Sequence, residues 1–277
     1  MKEMKQDQFK DHSGLDLFYR YELQPKSKGL VVITHGLGEH SGRYGNIFKP
    51  LHDKGYSVFA LDHRGHGKSG GKRGCIDSFD QFVDGVKRLM DIAKEKSKPG
   101  KTILLGHSLG GLIAAQYALR FPESIQGLVL SGPLFRLSLE VNPLKSAVGK
   151  LVGSLIPNLT MDNGIDANLI SHDAKVVEEY VSDPLVHGRV SARLFTEMVA
   201  AMENSLARAK VLSIPTFILH GGDDKLTHPD GSRQFHKEIS SRDKELKIYD
   251  GFFHEIMNEV EKDRVIADIM NWIDTHQ

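Results

Sequence analysis

Hydrophobic and polar positions along the chain follow two alternating periods, one typical of strands and one typical of helices. Apolar residues at three- and four-residue spacing predict helices after Ser78 and from Val265 to Ile273. Two runs that flank the turn at Ser13 predict an opening hairpin over 9–11 and 15–21. Short apolar runs predict buried strands at 30–34, 56–61, 102–105, 128–130, 216–220 and 246–249. This alternation indicates an α/β fold with a mostly parallel central sheet flanked by helices.

The alternation stops between Pro133 and Ile214, where the sequence predicts helices and loops without a strand. We therefore predict an α/β core formed by residues 1–133 and 214–277 and a helical insertion, the cap, formed by residues 134–213. An amphipathic helix in the cap is indicated by apolar residues at helical spacing, which are Leu144, Val148, Leu151, Val152 and Leu155. Its apolar face needs a partner, and packing on the core is one interpretation.

The segment from Thr102 to Gly111 carries the most informative chemical signal. A buried strand runs directly into Gly106-His107-Ser108-Leu109-Gly110, and an apolar helical stretch follows. A serine at such a sharp strand-to-helix turn needs small neighbours, because the flanking backbones come close together. The turn would expose the Oγ of Ser108 at the carboxyl end of the sheet, so the pattern predicts a nucleophile. The alternative is a structural turn that matches Gly-x-Ser-x-Gly by chance.

An acid and a histidine follow Ser108 in the chain order that this kind of nucleophile requires. The predicted strand 216–220 ends in a glycine turn with two neighbouring carboxylates, Asp223 and Asp224. The predicted strand 246–249 is followed by a loop that contains His254, the candidate base. Either aspartate satisfies the pattern, so the choice of the acid stays open on the residues alone.

Three segments, together with the Asp224 and His254 loops, resemble the monoacylglycerol lipase family of the α/β-hydrolase superfamily. The segments are HGLGEHSGRY at 35–44, DHRGHGKS at 62–69 and GHSLG at 106–110. The resemblance covers nearly the whole length, and the run from 38 to 44 is its most specific part. It implies the α/β-hydrolase fold, with a helical cap inserted after the strand that follows the nucleophile helix. It also implies hydrolysis of a single fatty-acyl ester of glycerol without a cofactor.

The resemblance also suggests roles for individual residues. The family spacing His-Gly-x-x-Asp, counted from His220, selects Asp224 as the acid. Glu39 and Arg43 match polar positions of the family and are implied to organise the glycerol end of the pocket. The alternative for Glu39 and Arg43 is an ion pair that braces a loop.

Backbone amides, rather than side chains, are predicted to stabilise the developing negative charge. Gly36 permits close approach of its loop to a substrate carbonyl, so the oxyanion hole is predicted to consist of the N–H groups of Leu37 and Leu109. In the cap, Leu151 and Leu155 are candidates for lining an acyl-chain tunnel. Whether the cap helix also makes transient contact with a lipid surface stays open at this point.

Composition excludes several classes of function. Lys plus Arg and Asp plus Glu both number 36, so the formal net charge is zero and no basic stripe indicates nucleic acid. Cys75 is the single cysteine, which fits a reducing compartment. The N-terminal residues lack the apolar run of a signal peptide, and no run reaches the roughly 18 apolar residues of a membrane span. We expect a cytoplasmic protein, with peripheral membrane association left open.

Two further patterns suggest a nucleotide site or a metal site, but neither fits the spacing that such a site requires. The run from Gly65 to Gly70 contains Gly-x-Gly-x-x-Gly and Gly-Lys-Ser, but Asp62 occupies the position of the first phosphate-loop glycine. Fourteen histidines are present, yet no His-x-x-x-His or matching carboxylate cluster gathers them, so we predict no metal site.

The sequence therefore predicts a serine hydrolase that cleaves monoacylglycerols to fatty acid and glycerol through an acyl-enzyme. One alternative keeps the same triad and acts on lysophospholipids or on a broad range of carboxylic esters. A different class is an α/β-hydrolase fold without catalytic activity that binds a ligand.

Overall fold

A computed structural model of the protein describes residues 4–138 and 156–276. In these residues it has ten strands: β1 (Lys5–Lys10), β2 (Asp16–Glu22), β3 (Leu30–Thr34), β4 (Ser57–Leu61), β5 (Thr102–His107), β6 (Gly127–Ser131), β7 (Thr160–Asp162), β8 (Arg189–Ser191), β9 (Thr216–Gly221) and β10 (Lys244–Tyr249). Eight of them form one sheet in the order β1-β2-β4-β3-β5-β6-β9-β10. The pairs β1–β2 and β2–β4 are antiparallel, and the remaining pairs are parallel. The predicted hairpin and mostly parallel sheet are confirmed.

Helices cover both faces of this sheet. The described residues contain α1 (Gly45–Asp53), α2 (Asp80–Ser97), α3 (Leu109–Arg120), α4 (Ala174–Ser182), α5 (Ala192–Arg208), α6 (Pro229–Glu238) and α7 (Lys262–Thr275). Short 3-10 turns lie at Ser41–Tyr44, Pro122–Ser124, Ala167–Leu169, Ala209–Val211 and Ile256–Asn258. None of the helices in the described ranges is long and apolar enough to cross a membrane.

Successive residues of the central strands alternate between two hydrophobic cores. Val32 of β3 packs into a core with α2, α3 and α5, whereas Val31 and Ile33 pack into a second core with α1 and α7. Side chains of a strand point alternately to opposite faces of the sheet, so an apolar run such as 30–34 can be buried on both sides. The sheet is thus held rigidly between two layers of helices, with its parallel strands ending at one edge.

The region 134–213 differs from the prediction in one respect. β7 and β8 form a small antiparallel sheet, so the expectation of no strand there is wrong. Each strand has only three residues and Met161 is half exposed, which leaves no alternation long enough to recognise. The last helix of the region, α5, packs on the core, because its Leu194 and Met198 lie in the same hydrophobic cluster as residues of α3. The predicted amphipathic helix, with Leu151 and Leu155, lies outside the described residues.

Candidate active site

Ser108 lies in the sharp turn between β5 and α3 and has a positive backbone φ, with φ 55° and ψ −120°. A residue with a side chain adopts positive φ only at a cost, and such strain is common at functional sites. The turn closes only because its neighbours are glycines. A Cβ on Gly106 would collide with the carbonyl oxygen of Gly110, and a Cβ on Gly110 would collide with that of Thr34. The local sequence therefore forces the hydroxyl of Ser108 outward at the carboxyl edge of the sheet.

The structure brings Ser108, His254 and Asp224 together in a line of hydrogen bonds. The Nε2 atom of His254 lies 2.9 Å from the Oγ of Ser108, and its Nδ1 atom lies 2.7 Å from Oδ2 of Asp224. The three residues follow β5, β10 and β9, whose carboxyl ends meet at the same edge. All three side chains are buried, whereas Asp223 is exposed to solvent.

Four further groups bind the carboxylate of Asp224. The sequence did not predict that they would lie together. Its Oδ1 accepts hydrogen bonds from the N–H of Leu226 at 2.8 Å and of Thr227 at 3.0 Å. The hydroxyl of Thr227 donates to Oδ2 at 2.8 Å, and Nε2 of His220 lies 3.1 Å from the same oxygen. Thr227 and His220 are functional candidates that sequence reasoning missed. His220 belongs to the spacing used to select Asp224, whereas Thr227 carried no recognisable signal.

The two titratable members of this line stabilise each other's charge. Burial alone raises the pKa of Asp224, but the neighbouring imidazole of His254 and the hydrogen bonds from His220 and His254 hold that pKa well below its usual range. For His254, burial lowers the pKa, yet the carboxylate of Asp224 outweighs burial and leaves it above the ordinary value of 6.5. A proton taken up by this imidazole would therefore be stabilised in place.

Two backbone N–H groups flank Ser108 without a protein acceptor in the described ranges. They belong to Leu37, after β3, and to Leu109, the first residue of α3. A free N–H at the start of a helix favours negative charge nearby. The oxyanion hole formed by the N–H groups of Leu37 and Leu109 stays a prediction.

Glu39 and Arg43 form part of a buried ion cluster beside this loop. Oε1 of Glu39 accepts hydrogen bonds from the N–H of Gly36 at 2.6 Å and from the hydroxyl of Tyr44 at 2.7 Å, and Arg43 donates to Oε2 at 2.9 Å. Burial raises the pKa of Glu39, but the charge of Arg43 is the strongest of several neighbouring influences that together outweigh burial and lower this pKa to about 2. Arg43 also makes a bidentate pair with Glu255, at 2.6 and 2.8 Å. These contacts favour the loop-bracing interpretation of Glu39 and Arg43. Glu255, next to His254, was not predicted.

Another histidine near the site, His35, makes hydrogen bonds to the backbone of the neighbouring loops. His35 accepts a hydrogen bond at Nε2 from the N–H of His63, and its Nδ1 lies 2.8 Å from the carbonyl oxygen of Gly36. The carboxylate of Asp62 accepts hydrogen bonds from the N–H groups of Ser41 and Lys68, both at 2.8 Å, and so joins the loop 62–69 to the loop 35–44. Across residues 4–138 and 156–276, no group of three or more His, Cys, Asp or Glu residues could hold a metal ion.

A small pocket opens directly over Ser108. Its apolar lining includes Leu37, Ile165, Ile170 and Leu226, and its polar lining includes Glu39, His107, Tyr180, His254 and Glu255. Ile165, Ile170 and Tyr180 come from the region 134–213. A larger groove of about 920 Å³ lies elsewhere, between the β1–β2 edge and α1, and none of the residues that surround Ser108 lines it. The pocket over Ser108 is therefore the candidate site despite its smaller size.

The sheet and the strained serine with its histidine and carboxylate define a class: this is a serine hydrolase with the α/β-hydrolase fold. Comparison with known proteins narrows the class. The family model described as "Serine aminopeptidase, S33" matches residues 25–261. A monoacylglycerol lipase of Mycolicibacterium smegmatis is 38% identical over 250 residues, covering 90% of this chain and 89% of that protein. The phospholipase YtpA of Bacillus subtilis is 31% identical over 239 residues, covering 85% and 91%.

A solved structure agrees with these sequence matches. The crystal structure of the Paleococcus ferrophilus monoacylglycerol lipase superposes with a TM-score of 0.88 at 35% identity, covering 94% of this chain and 99% of that one. The chain belongs to this family of α/β-hydrolases, in the branch that includes the monoacylglycerol lipases. The resemblance seen in its motifs is confirmed.

Proposed function

We propose that the protein hydrolyses the acyl ester of monoacylglycerols to free fatty acid and glycerol, with Ser108 as nucleophile. The observation that carries the proposal is the unbroken line from Ser108 through His254 to Asp224, at 2.9 and 2.7 Å, beneath a pocket that has apolar and polar sides. Relatives of 38% and 35% identity are named monoacylglycerol lipases, which supports the choice of substrate.

Each residue of the line has one role in the proposed mechanism. His254 accepts the hydroxyl proton of Ser108 through Nε2 while Oγ attacks the ester carbonyl carbon. Asp224 keeps the imidazole in the tautomer with hydrogen on Nδ1 and stabilises its charged form. The N–H groups of Leu37 and Leu109 donate to the oxyanion. The C–O bond then breaks, glycerol leaves with the proton from His254, and an acyl-serine remains.

Water completes the cycle by the same route. His254 takes a proton from water as the water oxygen attacks the acyl-serine. A second tetrahedral intermediate then collapses, Ser108 regains its proton, and the fatty acid is released. The proposal needs no metal or organic cofactor, since the nucleophile, the base and the oxyanion donors are all supplied by this chain.

The substrate class is tested by comparing esters that share one acyl chain. We expect kcat/KM for a monoacylglycerol to exceed that for the matching diacylglycerol and lysophosphatidylcholine by about 10-fold or more, because a second chain or a large headgroup would leave buried polar groups unpaired. A competitor that equals the monoacylglycerol would favour a lysophospholipase or a broad carboxylesterase. A fluorophosphonate probe that fails to label Ser108 would instead favour a ligand-binding protein without catalytic activity.

A second test is the pH dependence of the reaction. His254 must be neutral to accept a proton, and its pKa is raised above 6.5 by Asp224. We expect kcat/KM on a soluble short-chain ester to be lost as the pH falls through this raised pKa, so the acid limb should have its midpoint above 6.5. Circular dichroism at each pH serves as the control for folding. A midpoint well below 6.5 would contradict the assigned environment of His254.

We further propose that residues 134–213 form a cap over the site, with residues 1–133 and 214–277 as the hydrolase core. Ile165, Ile170 and Tyr180 support this division, because they belong to the region 134–213 and line the same pocket as Ser108. Leu151 and Leu155 stay predictions as tunnel residues.

Transient contact of the cap with a lipid surface is the last part of the proposal. Three apolar side chains lie close together in sequence and are about half exposed: Ile156 (57%), Leu159 (46%) and Met161 (50%). Apolar groups exposed together favour insertion into the interface of a bilayer. We expect an I156S/M161S variant to co-sediment less with phosphatidylcholine vesicles while it hydrolyses a soluble ester normally. Val260→Ser, at an exposed valine (68%) of the hydrolase core just before α7, is the matched control. Equal binding of all three proteins would contradict the contact.

A further inference from the structure

Arg43 lies buried between two carboxylates that belong to different loops of the site. Its side chain, 10% exposed, donates to Glu39 at 2.9 Å and makes the bidentate pair with Glu255 at 2.6 and 2.8 Å. Glu39 is two residues after Leu37, and Glu255 directly follows His254. One guanidinium group thus joins the loop of the proposed oxyanion hole to the loop of the proposed base.

In the loop of the proposed oxyanion hole, Glu39 also binds the backbone directly. The Oε1 atom of Glu39 accepts the N–H of Gly36, and a Cβ added to Gly36 would lie 2.8 Å from that oxygen and 3.2 Å from the Cβ of Ser108. Gly36 is therefore packed tightly between the carboxylate and the nucleophile. Because the N–H of Leu37 belongs to the peptide that follows the α-carbon of Gly36, a shift of Glu39 would turn this donor away from the oxyanion.

At the histidine side, Glu255 is fixed from three directions. Besides Arg43, the side-chain amide of Asn258 donates to Oε2 of Glu255 at 2.8 Å, and the N–H of Glu255 donates to the carbonyl oxygen of Ile170 at 2.7 Å. The backbone next to His254 therefore has little freedom to move. The ring centroid of Tyr180 lies 4.8 Å from the guanidinium carbon of Arg43.

Burying a charge pair costs desolvation energy, so such a pair contributes little net stability. It can instead fix the relative positions of the groups that it joins. We propose that Arg43 is a positioning residue, which aligns the N–H of Leu37 and the imidazole of His254 for the same transition state. This inference rests on the proposed function. It differs from binding of the glycerol end, because each carboxylate oxygen of Glu39 and Glu255 already accepts a hydrogen bond from the protein.

The test is Arg43→Lys, which keeps the positive charge and removes the planar fork that bridges two carboxylates. We expect kcat to fall by about 10- to 100-fold with KM changed by less than about 3-fold, since misplacing an oxyanion donor acts on the transition state. The matched control is Arg64→Lys. Arg64 is 15% exposed and pairs with Asp11 at 2.8 Å away from the pocket, so kcat should stay within about 2-fold.

Two readouts separate positioning from a purely structural role. An alkyl boronic acid forms a tetrahedral adduct on the serine, so its inhibition constant should weaken in R43K in parallel with kcat/KM. The rate of fluorophosphonate labelling of Ser108 should fall as well. Should R43K fail to fold, Tyr44→Phe removes one bond to Glu39 without changing charge, and a kcat loss of about 3- to 10-fold is then expected.

Each outcome decides one point. Wild-type kinetics and labelling in R43K would overturn the positioning role, and a rise in KM with unchanged kcat would assign Glu39 and Arg43 to substrate binding instead. If the wild-type protein hydrolyses none of the acyl esters, the proposed function fails. Labelling of Ser108 needs no substrate, so a slower rate in R43K than in R64K would still support the alignment of Leu37 and His254.

Discussion

Replacing Ser108 by alanine is expected to lower kcat on a monoacylglycerol by about 10⁴-fold or more, because the acyl-enzyme forms on its Oγ. The fold should survive the change. Oγ of Ser108 bonds only to His254 among the described side chains, and the strained turn is imposed by the glycines around it rather than by the hydroxyl. The measurement is steady-state hydrolysis, together with thermal unfolding to compare stability.

The matched control is Ser205→Ala, which removes the hydroxyl of another buried serine. Ser205 lies in α5 and accepts a hydrogen bond from the side chain of Gln116, far from the pocket. We expect its kcat within about 2-fold of wild type. A Ser108→Ala protein that kept more than about 1% of wild-type kcat would contradict the assignment of the nucleophile.

Ser108 could be predicted because its environment is encoded locally. The strand, the glycines and the helix start all lie within ten residues, and steric rules for a strand-to-helix turn allow few other sequences. The parallel sheet could be predicted for a similar reason, since strands such as β3 and β5 are continuous apolar runs that stay buried on both faces.

The role of Glu39 could not be decided from the sequence. Glu39 and Arg43 are four residues apart, but the partner that fixes Arg43 is Glu255, which is 212 positions away. In the sequence, Glu39 and Arg43 have the same four-residue spacing whether they form a surface pair or belong to a buried cluster with Glu255. The difference depends on which loops the sheet topology brings to one edge, and that information is spread over β3, β9 and β10.

The region 134–213 was the least predictable part for a physical reason. Apart from α5, its described elements are short and mostly half-exposed, so their hydrophobic pattern is weak. Tyr180 illustrates the problem, because it is one of several residues on α4 and only the structure shows that it lines the same pocket as Ser108. Thr227 is similar: a threonine in a loop carries no signal until its hydroxyl is found 2.8 Å from Asp224.

The acid of the triad could not be chosen from the residue pattern alone, because Asp223 and Asp224 are adjacent. In the structure the two carboxylates have opposite environments. Asp224 is buried and accepts hydrogen bonds from His254, Leu226 and Thr227, whereas Asp223 is exposed. We expect Asp224→Asn to lower kcat by about 10³- to 10⁴-fold and Asp223→Asn to stay within about 2-fold.

The expected loss in Asp224→Asn follows from proton positions rather than from lost packing. An asparagine can keep the N–H donors of Leu226 and Thr227 on its carbonyl oxygen, and its amide would then donate to Nδ1 of His254. The imidazole would carry its proton on Nε2, the atom that must accept from Ser108 at 2.9 Å. Thermal unfolding of Asp223→Asn should change little, and fluorophosphonate labelling of Ser108 should slow only in Asp224→Asn. Loss of activity in Asp223→Asn with normal activity in Asp224→Asn would reverse the assignment, because it would require the exposed carboxylate to reach the imidazole in place of the buried one.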